Sequence, residues 1–159
     1  MSTSGGWREG DDPGWRRFAD LGPMDLDLGG RLPEVRVAYE TWGTYNGNNA
    51  VLVQHALTGD AHAAGPAGPG QPTPGWWDSL IGPGKAIDTR RWFVVSSNVL
   101  GGCQGTTGPS SPAPDGRAYG SRWPRITIRD QVAVEVALAD ALGIEHFTAV
   151  MGGSMGGMR

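Results

Sequence analysis

Two short and almost continuous apolar runs constrain the fold of this chain more than any other feature. One is AVLVQ at Ala50–Gln54, and the other is RWFVVSSNVL at 91–100. Such runs are typical of strands that are buried on both faces, as in parallel sheets covered by helices. Long segments rich in glycine and proline flank them, and the 27 glycines and 12 prolines of the 159-residue chain predict extended loops between short elements.

The segments before these runs predict how the domain begins. Residues 1–20 are polar and unpatterned, so we expect a mobile arm followed by a single domain over 21–159. At 34–43, EVRVAYETWG alternates apolar and polar residues as a half-buried strand does, and Asn46-Gly47 predicts a turn that joins it to AVLVQ as an antiparallel hairpin. The expected class is therefore α/β, with a mostly parallel sheet and an antiparallel N-terminal hairpin.

A helix and a final strand are predicted near the end of the chain. Thr127 and Asp130 have the spacing of a capping box, and Gly143 is a typical helix stop. The helix is expected to bury one apolar face, formed by Val132, Val136, Leu138, Ala139 and Leu142. A strand over 146–151 follows and leads into a cluster of glycines around one serine.

Charge and composition argue against several classes of partner. The net charge of −3 provides no basic surface for nucleic acid. We find no segment with the roughly 18 apolar residues of a membrane span, and no apolar core of a signal peptide. Cys103 is the single cysteine, so we expect a small buried hydrophobe, no intrachain disulfide and a cytoplasmic location.

The serine cluster matches a catalytic motif. Gly152-Gly153-Ser154-Met155-Gly156 is a G-x-S-x-G sequence directly after a predicted strand. In a nucleophile elbow, this spacing holds the serine hydroxyl above the sheet on a strained strand-to-helix turn, where side chains at both motif glycines would collide. A glycine-rich turn without a catalytic role is the alternative. A phosphate-binding loop is disfavoured, because a dinucleotide fingerprint needs glycine where Ser154 stands.

A nucleophilic serine also needs a general base and two donors for the oxyanion. In an elbow, the Met155 amide supplies one donor, and the loop HALTGD at 55–60 is placed to supply the other. All three histidines precede Ser154, against the order serine, acid, histidine of this arrangement. We therefore assign none of them as the base: we expect His55 to shape its loop, His62 to lie in an exposed loop, and His146 to lie at the entry to the last strand.

Longer motifs carry a family resemblance. They are HALTGDAH at 55–62, the Gly/Pro-rich segment at 65–112, ITIRDQV at 126–132 and VMGGSMGGM at 150–158. Together they resemble the homoserine O-acetyltransferases, enzymes with an α/β-hydrolase fold, over about 34–159. The resemblance implies acetyl transfer from acetyl-CoA to the hydroxyl of L-homoserine through an acyl-serine. It makes Ser154 the nucleophile and the backbone amides of Leu57 and Met155 the oxyanion hole.

The resemblance also implies an N-terminal portion of a longer protein, truncated after the elbow. In the family, the triad aspartate and histidine and the helical lid lie downstream of the position of Arg159. We therefore expect the chain alone to be inactive and to expose an aggregation-prone strand edge. The complete protein is expected to be a homodimer of methionine biosynthesis, without a metal or a tightly bound cofactor, with acetyl-CoA as co-substrate.

Several alternatives stay open at this point. Relatives that use succinyl-CoA, or that acylate serine, would share the motifs. An esterase would use the same Ser154 and the same amides, with water resolving the acyl-enzyme. A non-catalytic binding module would keep the sheet and dispense with the serine. Trp76 and Trp77 would either pin the Gly/Pro-rich loop to the core or line a pocket.

Overall fold

The computed structural model describes residues 5–159, so residues 1–4 of the predicted arm lie outside the described residues. The strands and the α-helix are, in chain order, β1 (Arg17–Asp25), β2 (Arg31–Trp42), β3 (Ala50–Gln54), β4 (Ile81–Gly82), β5 (Ile87–Asp88), β6 (Phe93–Ser97), α1 (Ile128–Ala141) and β7 (Ala149–Gly152). Short 3-10 helices occupy Gly120–Arg122 and Ser154–Met158. Within residues 5–159, no helix combines the length and apolar character needed to cross a bilayer.

The central sheet has five strands in the order β1-β2-β6-β3-β7. The strand β3 pairs in parallel with both β6 and β7 and is buried at every position, as its apolar sequence predicts. The strands β1 and β2 are antiparallel, and β2 is also antiparallel to β6. The predicted α/β class with a parallel sheet and an antiparallel N-terminal hairpin is therefore confirmed.

The partners of the hairpin differ from the prediction. The strand β2 pairs with β1, which precedes it, and not with β3 across Asn46-Gly47. The strand β6 lies between β2 and β3, so β3 has a parallel neighbour on each side. Residues 43–49 instead cross over the end of β6, where the Asn49 amide donates to the Thr44 and Arg91 carbonyls at 3.0 and 2.9 Å.

The N-terminal segment is ordered closer to its start than its composition predicts. The strand β1 begins at Arg17, so the predicted arm boundary at 20 is too late. Before it, the Trp7 amide donates to the Cys103 carbonyl at 2.8 Å, and the buried Arg16 guanidinium donates to the Gly70 carbonyl at 2.8 Å. The Cys103 side chain is exposed, which corrects the prediction of a buried hydrophobe; it lies in a loop on the surface.

The helix α1 begins and ends as its capping residues predict. Thr127 and Asp130 form a capping box, and Gly143 follows the helix with a φ of 68°. Its buried face was predicted only in part, because Val132 and Val136 are 38% and 55% exposed. The buried residues of the helix are Asp130, Val134, Glu135, Leu138 and Ala139. Both stripes have helical spacing, and only packing against the sheet selects between them.

The sheet has an apolar cluster on each face. Along β3, Ala50 and Leu52 belong to the cluster that includes Val134 and Leu138 of α1. Alternate residues Val51 and Val53 belong to the other cluster, since successive side chains of a strand point to opposite faces. That second cluster is covered by the loop region between β3 and β6, including Trp76, Trp77 and Trp92. The two faces of β3 are thus closed by a helix and by a tryptophan-rich loop.

Candidate active site

Ser154 lies at a strained turn where β7 ends. Gly153 is still extended, with φ −107° and ψ 146°, and Ser154 then takes a φ of 55° and begins the 3-10 helix. Among residues 5–159, it is the single non-glycine residue with positive φ. Such a conformation costs free energy in an L-residue and is concentrated at functional sites. The side chain is exposed, so a strained turn presents this hydroxyl to the surface.

Two of the motif glycines are required by close backbone contacts. A Cβ atom at Gly156 would overlap the carbonyl of Gln54 and lie 2.9 Å from the carbonyl oxygen of His55. At Gly152 it would lie 2.6 Å from the carbonyl oxygen of Gly156. At Gly153, by contrast, a Cβ atom would meet nothing within 4 Å. The pattern of the motif therefore follows from how tightly the turn is folded against the end of β3.

The two amides predicted to bind an oxyanion follow aligned ends of neighbouring strands. Gln54 of β3 is in register with Gly152 of β7, so the turns that carry Leu57 and Met155 leave the same edge of the sheet. Neither amide donates a hydrogen bond to any acceptor in residues 5–159. The residue Leu57 is 77% exposed. Unpaired N–H groups at a strand end are the donors that a developing oxyanion requires.

His55 is buried beneath this turn, with 1% of its surface exposed. Its Nε2 accepts from the Val99 amide at 3.0 Å, so the ring proton is on Nδ1, which donates to the Ala56 carbonyl at 2.7 Å. Burial lowers the pKa of the imidazole and favours this neutral form. The predicted loop-shaping position of His55 matches this environment.

The prediction for His62 is wrong. The side chain is 4% exposed, and its Nδ1 lies 2.9 Å from the Glu40 carboxylate while Nε2 donates to the Pro66 carbonyl at 3.1 Å. Gln71 donates to the other Glu40 oxygen, and the Trp15 ring stacks on the imidazole. Glycine and proline predicted a surface loop, but the loop folds back over the sheet and brings its polar groups onto a buried glutamate.

The remaining predicted positions are simpler. His146 is exposed and precedes β7, which begins at residue 149 and not at 146. The Trp76 indole donates to the Asp60 carbonyl at 2.9 Å and lines a cavity of about 610 Å³ beside Thr58. Trp77 packs against the second apolar cluster. Trp76 packs against the same cluster, so both tryptophans anchor the loop to the core and Trp76 in addition lines a pocket.

A buried ion pair between Glu135 and Arg159 lies next to the elbow, and sequence patterning did not predict it. The Arg159 guanidinium donates to the Glu135 carboxylate at 3.0 Å and to the His55 carbonyl at 3.3 Å. The other oxygen of Glu135 accepts from the Gln54 side-chain amide at 2.6 Å. Burial raises the pKa of Glu135 and lowers that of Arg159, and their mutual attraction opposes both changes. The sequence feature that could have indicated this ion pair is the position of Glu135 in the predicted helix, which packs on the sheet.

No general base contacts the serine in the described part of the chain. The Ser154 hydroxyl has no hydrogen-bond partner within residues 5–159. The buried histidines, His55 and His62, are engaged elsewhere, and His146 is exposed before β7. Within the same residues, no group of three or more histidine, cysteine, aspartate or glutamate side chains could hold a metal ion. The arrangement offers a presented hydroxyl and two open amides.

Comparison with known proteins places this geometry in context. The chain is 68% identical to a homoserine O-acetyltransferase of Clavibacter michiganensis subsp. michiganensis, over 99% of this chain and 41% of that protein. The crystal structure of esterase E22 superposes with a TM-score of 0.83 at 42% identity, over 90% of this chain and 41% of that one. Homoserine O-acetyltransferase from Bacillus anthracis superposes at 0.79 and 36% identity, over 90% of this chain and 40% of that one.

These matches cover nearly all of this chain and a smaller share of each relative. The chain spans about two fifths of the length of the curated relatives it matches. The family model of the alpha/beta hydrolase fold matches residues 49–158, which include β3, β6, α1, β7 and the elbow. The chain therefore belongs to the alpha/beta hydrolase fold family.

Proposed function

We propose that the complete protein transfers an acetyl group from acetyl-CoA to the hydroxyl of L-homoserine, with Ser154 as the nucleophile. The observation that carries the proposal is the exposed, positive-φ serine in a chain 68% identical to a homoserine O-acetyltransferase. A further relative of the same name, from Thermobifida fusca, is 64% identical over the whole chain. A non-catalytic module would have no reason to hold a serine in this conformation.

The proposed reaction has two acyl transfers. The Ser154 oxygen attacks the thioester carbonyl of acetyl-CoA and loses its proton to a general base, and the C–S bond then breaks to release coenzyme A as the thiol. The hydroxyl of L-homoserine attacks the resulting acyl-serine, its proton passes to the same base, and O-acetyl-L-homoserine leaves as Ser154 regains its proton. Splitting the reaction in this way replaces one difficult step with two easier ones.

The amides of Leu57 and Met155 are proposed to bind the oxyanion in both steps. The absence of any acceptor for them in residues 5–159 supports this role, because donors already paired would have to break a bond first. The base and its acidic partner are proposed to come from outside these residues. This is consistent with the unpartnered Ser154 hydroxyl and with the greater length of the relatives.

Esterase activity is the second candidate, because esterase E22 superposes on the chain at a TM-score of 0.83. Water would then take the place of L-homoserine in the second step. The test is release of coenzyme A by the complete protein, measured with a thiol reagent, with and without L-homoserine. Release that depends on L-homoserine supports the transferase, and release from acetyl-CoA at the same rate with and without L-homoserine supports the esterase. Succinyl-CoA and L-serine in parallel reactions test the alternative donor and acceptor.

The role of Ser154 is tested with S154A and a matched surface control, S121A. Loss of the nucleophile in a serine enzyme costs about 10⁶-fold in turnover, so S154A is expected to fall to background. Ser121 is exposed in the 3-10 helix at Gly120–Arg122, and S121A is expected to retain wild-type turnover. Undiminished turnover of S154A would refute nucleophilic catalysis by this serine.

The remaining expectations from the resemblance belong to the same proposal. We infer a cytoplasmic enzyme of methionine biosynthesis that is homodimeric when complete and that takes acetyl-CoA as a co-substrate without a tightly bound cofactor. The names of the curated relatives support the substrates and the pathway. Location and oligomeric state stay predictions, which fractionation and light scattering of the complete protein test directly.

A further inference from the structure

We propose that His55 is a positioning residue that aims the Leu57 amide at the oxyanion, an inference that rests on the acyl-serine chemistry proposed above. The residue does not touch substrate in this scheme. It acts on the peptide bond between Ala56 and Leu57, whose carbonyl it holds.

The orientation of this peptide is set through its oxygen. The Ala56 carbonyl accepts from His55 Nδ1 at 2.7 Å and from the Gly59 amide at 2.9 Å. No cis peptide occurs in residues 5–159, so the C=O of Ala56 and the N–H of Leu57 point in opposite directions in one rigid plane. Two donors that fix the carbonyl therefore also fix the direction of the amide, which has no acceptor of its own in residues 5–159.

The His55 ring is itself held from its other side. Its Nε2 accepts from the Val99 amide at 3.0 Å and lies 3.3 Å from the Asn98 side-chain nitrogen. The turn also packs directly on His55, because a Cβ atom at Gly59 would lie 2.8 Å from the His55 Cβ. A ring locked at both nitrogens gives the Ala56 carbonyl a fixed partner, where a flexible side chain would allow the peptide to rotate.

The backbone of His55 also lies against the elbow. A Cβ atom at Gly156 would lie 2.9 Å from the His55 carbonyl oxygen, and Arg159 donates to that oxygen at 3.3 Å. The residue thus contacts the elbow through its main chain and the Leu57 peptide through its ring. A shift of His55 would change the position of one oxyanion donor relative to the serine, and misplacement by about 1 Å costs about 10²-fold in rate.

Two substitutions separate this role from simple packing. Asparagine places an amide nitrogen near the position of Nδ1 and can still donate to Ala56, whereas glutamine reaches toward the position of Nε2 and leaves the Ala56 carbonyl without that donor. Both remove the ring. In the complete protein, His55→Gln is expected to lower kcat by about 10- to 10³-fold with KM little changed, since loss of a whole oxyanion donor costs about 10²- to 10³-fold. His55→Asn is expected to recover most of that loss.

The assay is hydrolysis of p-nitrophenyl acetate, with transfer to L-homoserine measured in parallel and melting temperatures recorded for each variant. Any acyl-serine enzyme turns over the ester, so absent homoserine transfer with ester hydrolysis intact would refute the proposed function and still test His55. Equal losses of kcat in the two variants, or H55Q within about twofold of wild type, would overturn the positioning role. An enzyme without Ser154-dependent ester hydrolysis would also overturn it. The exposed His146→Gln is the control and is expected to match wild type.

Discussion

The buried ion pair under the elbow makes a quantitative prediction about stability. In the Glu135–Arg159 pair, the side chains are 7% and 0% exposed. Glu135→Ala removes the carboxylate and leaves Arg159 with the His55 carbonyl as its remaining partner, while its Nε already lacks one. Breaking a buried pair from one side costs about 3–5 kcal/mol, because an uncompensated charge stays out of water. We expect the free energy of unfolding of the complete protein to fall by that amount.

The double variant Glu135→Leu/Arg159→Met distinguishes a buried charge from lost packing. It removes both charges and keeps apolar volume, and such replacements are neutral or stabilise by about 1–4 kcal/mol. The measurement is urea unfolding followed by tryptophan fluorescence, with the slope of the transition checked for constancy. Glu145→Ala is the matched control, because Glu145 is exposed and its loss should change stability by less than about 0.5 kcal/mol.

Two outcomes would refute this reasoning. A cost below about 1 kcal/mol for Glu135→Ala would mean that Arg159 reaches water or another anion once the carboxylate is gone. A double variant as unstable as the single one would mean that the pair contributes through its shape and its bond to Gln54, and not through charge compensation.

Two further predictions concern the elbow and His55. Gly156→Ala forces a Cβ into the Gln54 carbonyl and should lower turnover by about 100-fold or more. Gly153→Ala meets nothing within 4 Å and should stay within about twofold, so similar activities would disprove the tight turn. Burial lowers the pKa of folded His55 below its ordinary 6.5. As the pH is lowered below that value, the imidazole is protonated in the unfolded chain but stays neutral in the folded one. The free energy of unfolding therefore decreases as the pH decreases, by up to about 1.4 kcal/mol per pH unit. The free energy of unfolding of His55→Asn, measured in urea, should lack this pH dependence, and equal pH slopes for the variant and the wild type would contradict the prediction. The raised pKa values of Glu40 and Glu135 have the opposite effect on the slope, but they do so in both proteins and leave the difference unchanged.

Sequence patterning predicted those parts of the structure that depend on neighbours along the chain. The strand β3 was predicted because a short run that is apolar at successive positions suits a strand covered on both faces. The capping box at Thr127 and the stop at Gly143 join residues three positions apart or fewer. The elbow was predicted because its motif lies within five consecutive residues, from Gly152 to Gly156, although the contacts that exclude a side chain at Gly156 come from Gln54 and His55.

Tertiary structure alone decided the features that depend on distant partners. The hairpin partner of β2 was mispredicted because β6 enters the sheet from 93–97 and separates β2 from β3. His62 became a buried residue through Glu40, which lies 22 positions away in sequence.

The buried Glu135–Arg159 ion pair next to the elbow also depends on residues that are distant in sequence. Glu135 is buried because Arg159 and Gln54, 24 and 81 positions away, supply its partners. A charged side chain leaves water only when an opposite charge or donor meets it, and no local pattern encodes where that partner will lie. The sequence by itself therefore determined the strands β2, β3, β6 and β7, the caps of the helix and the glycine-serine motif, through hydrophobic and steric rules that act between neighbours along the chain. The fold decided which polar groups are buried around that serine, because their desolvation is offset only by partners that the chain brings together from afar.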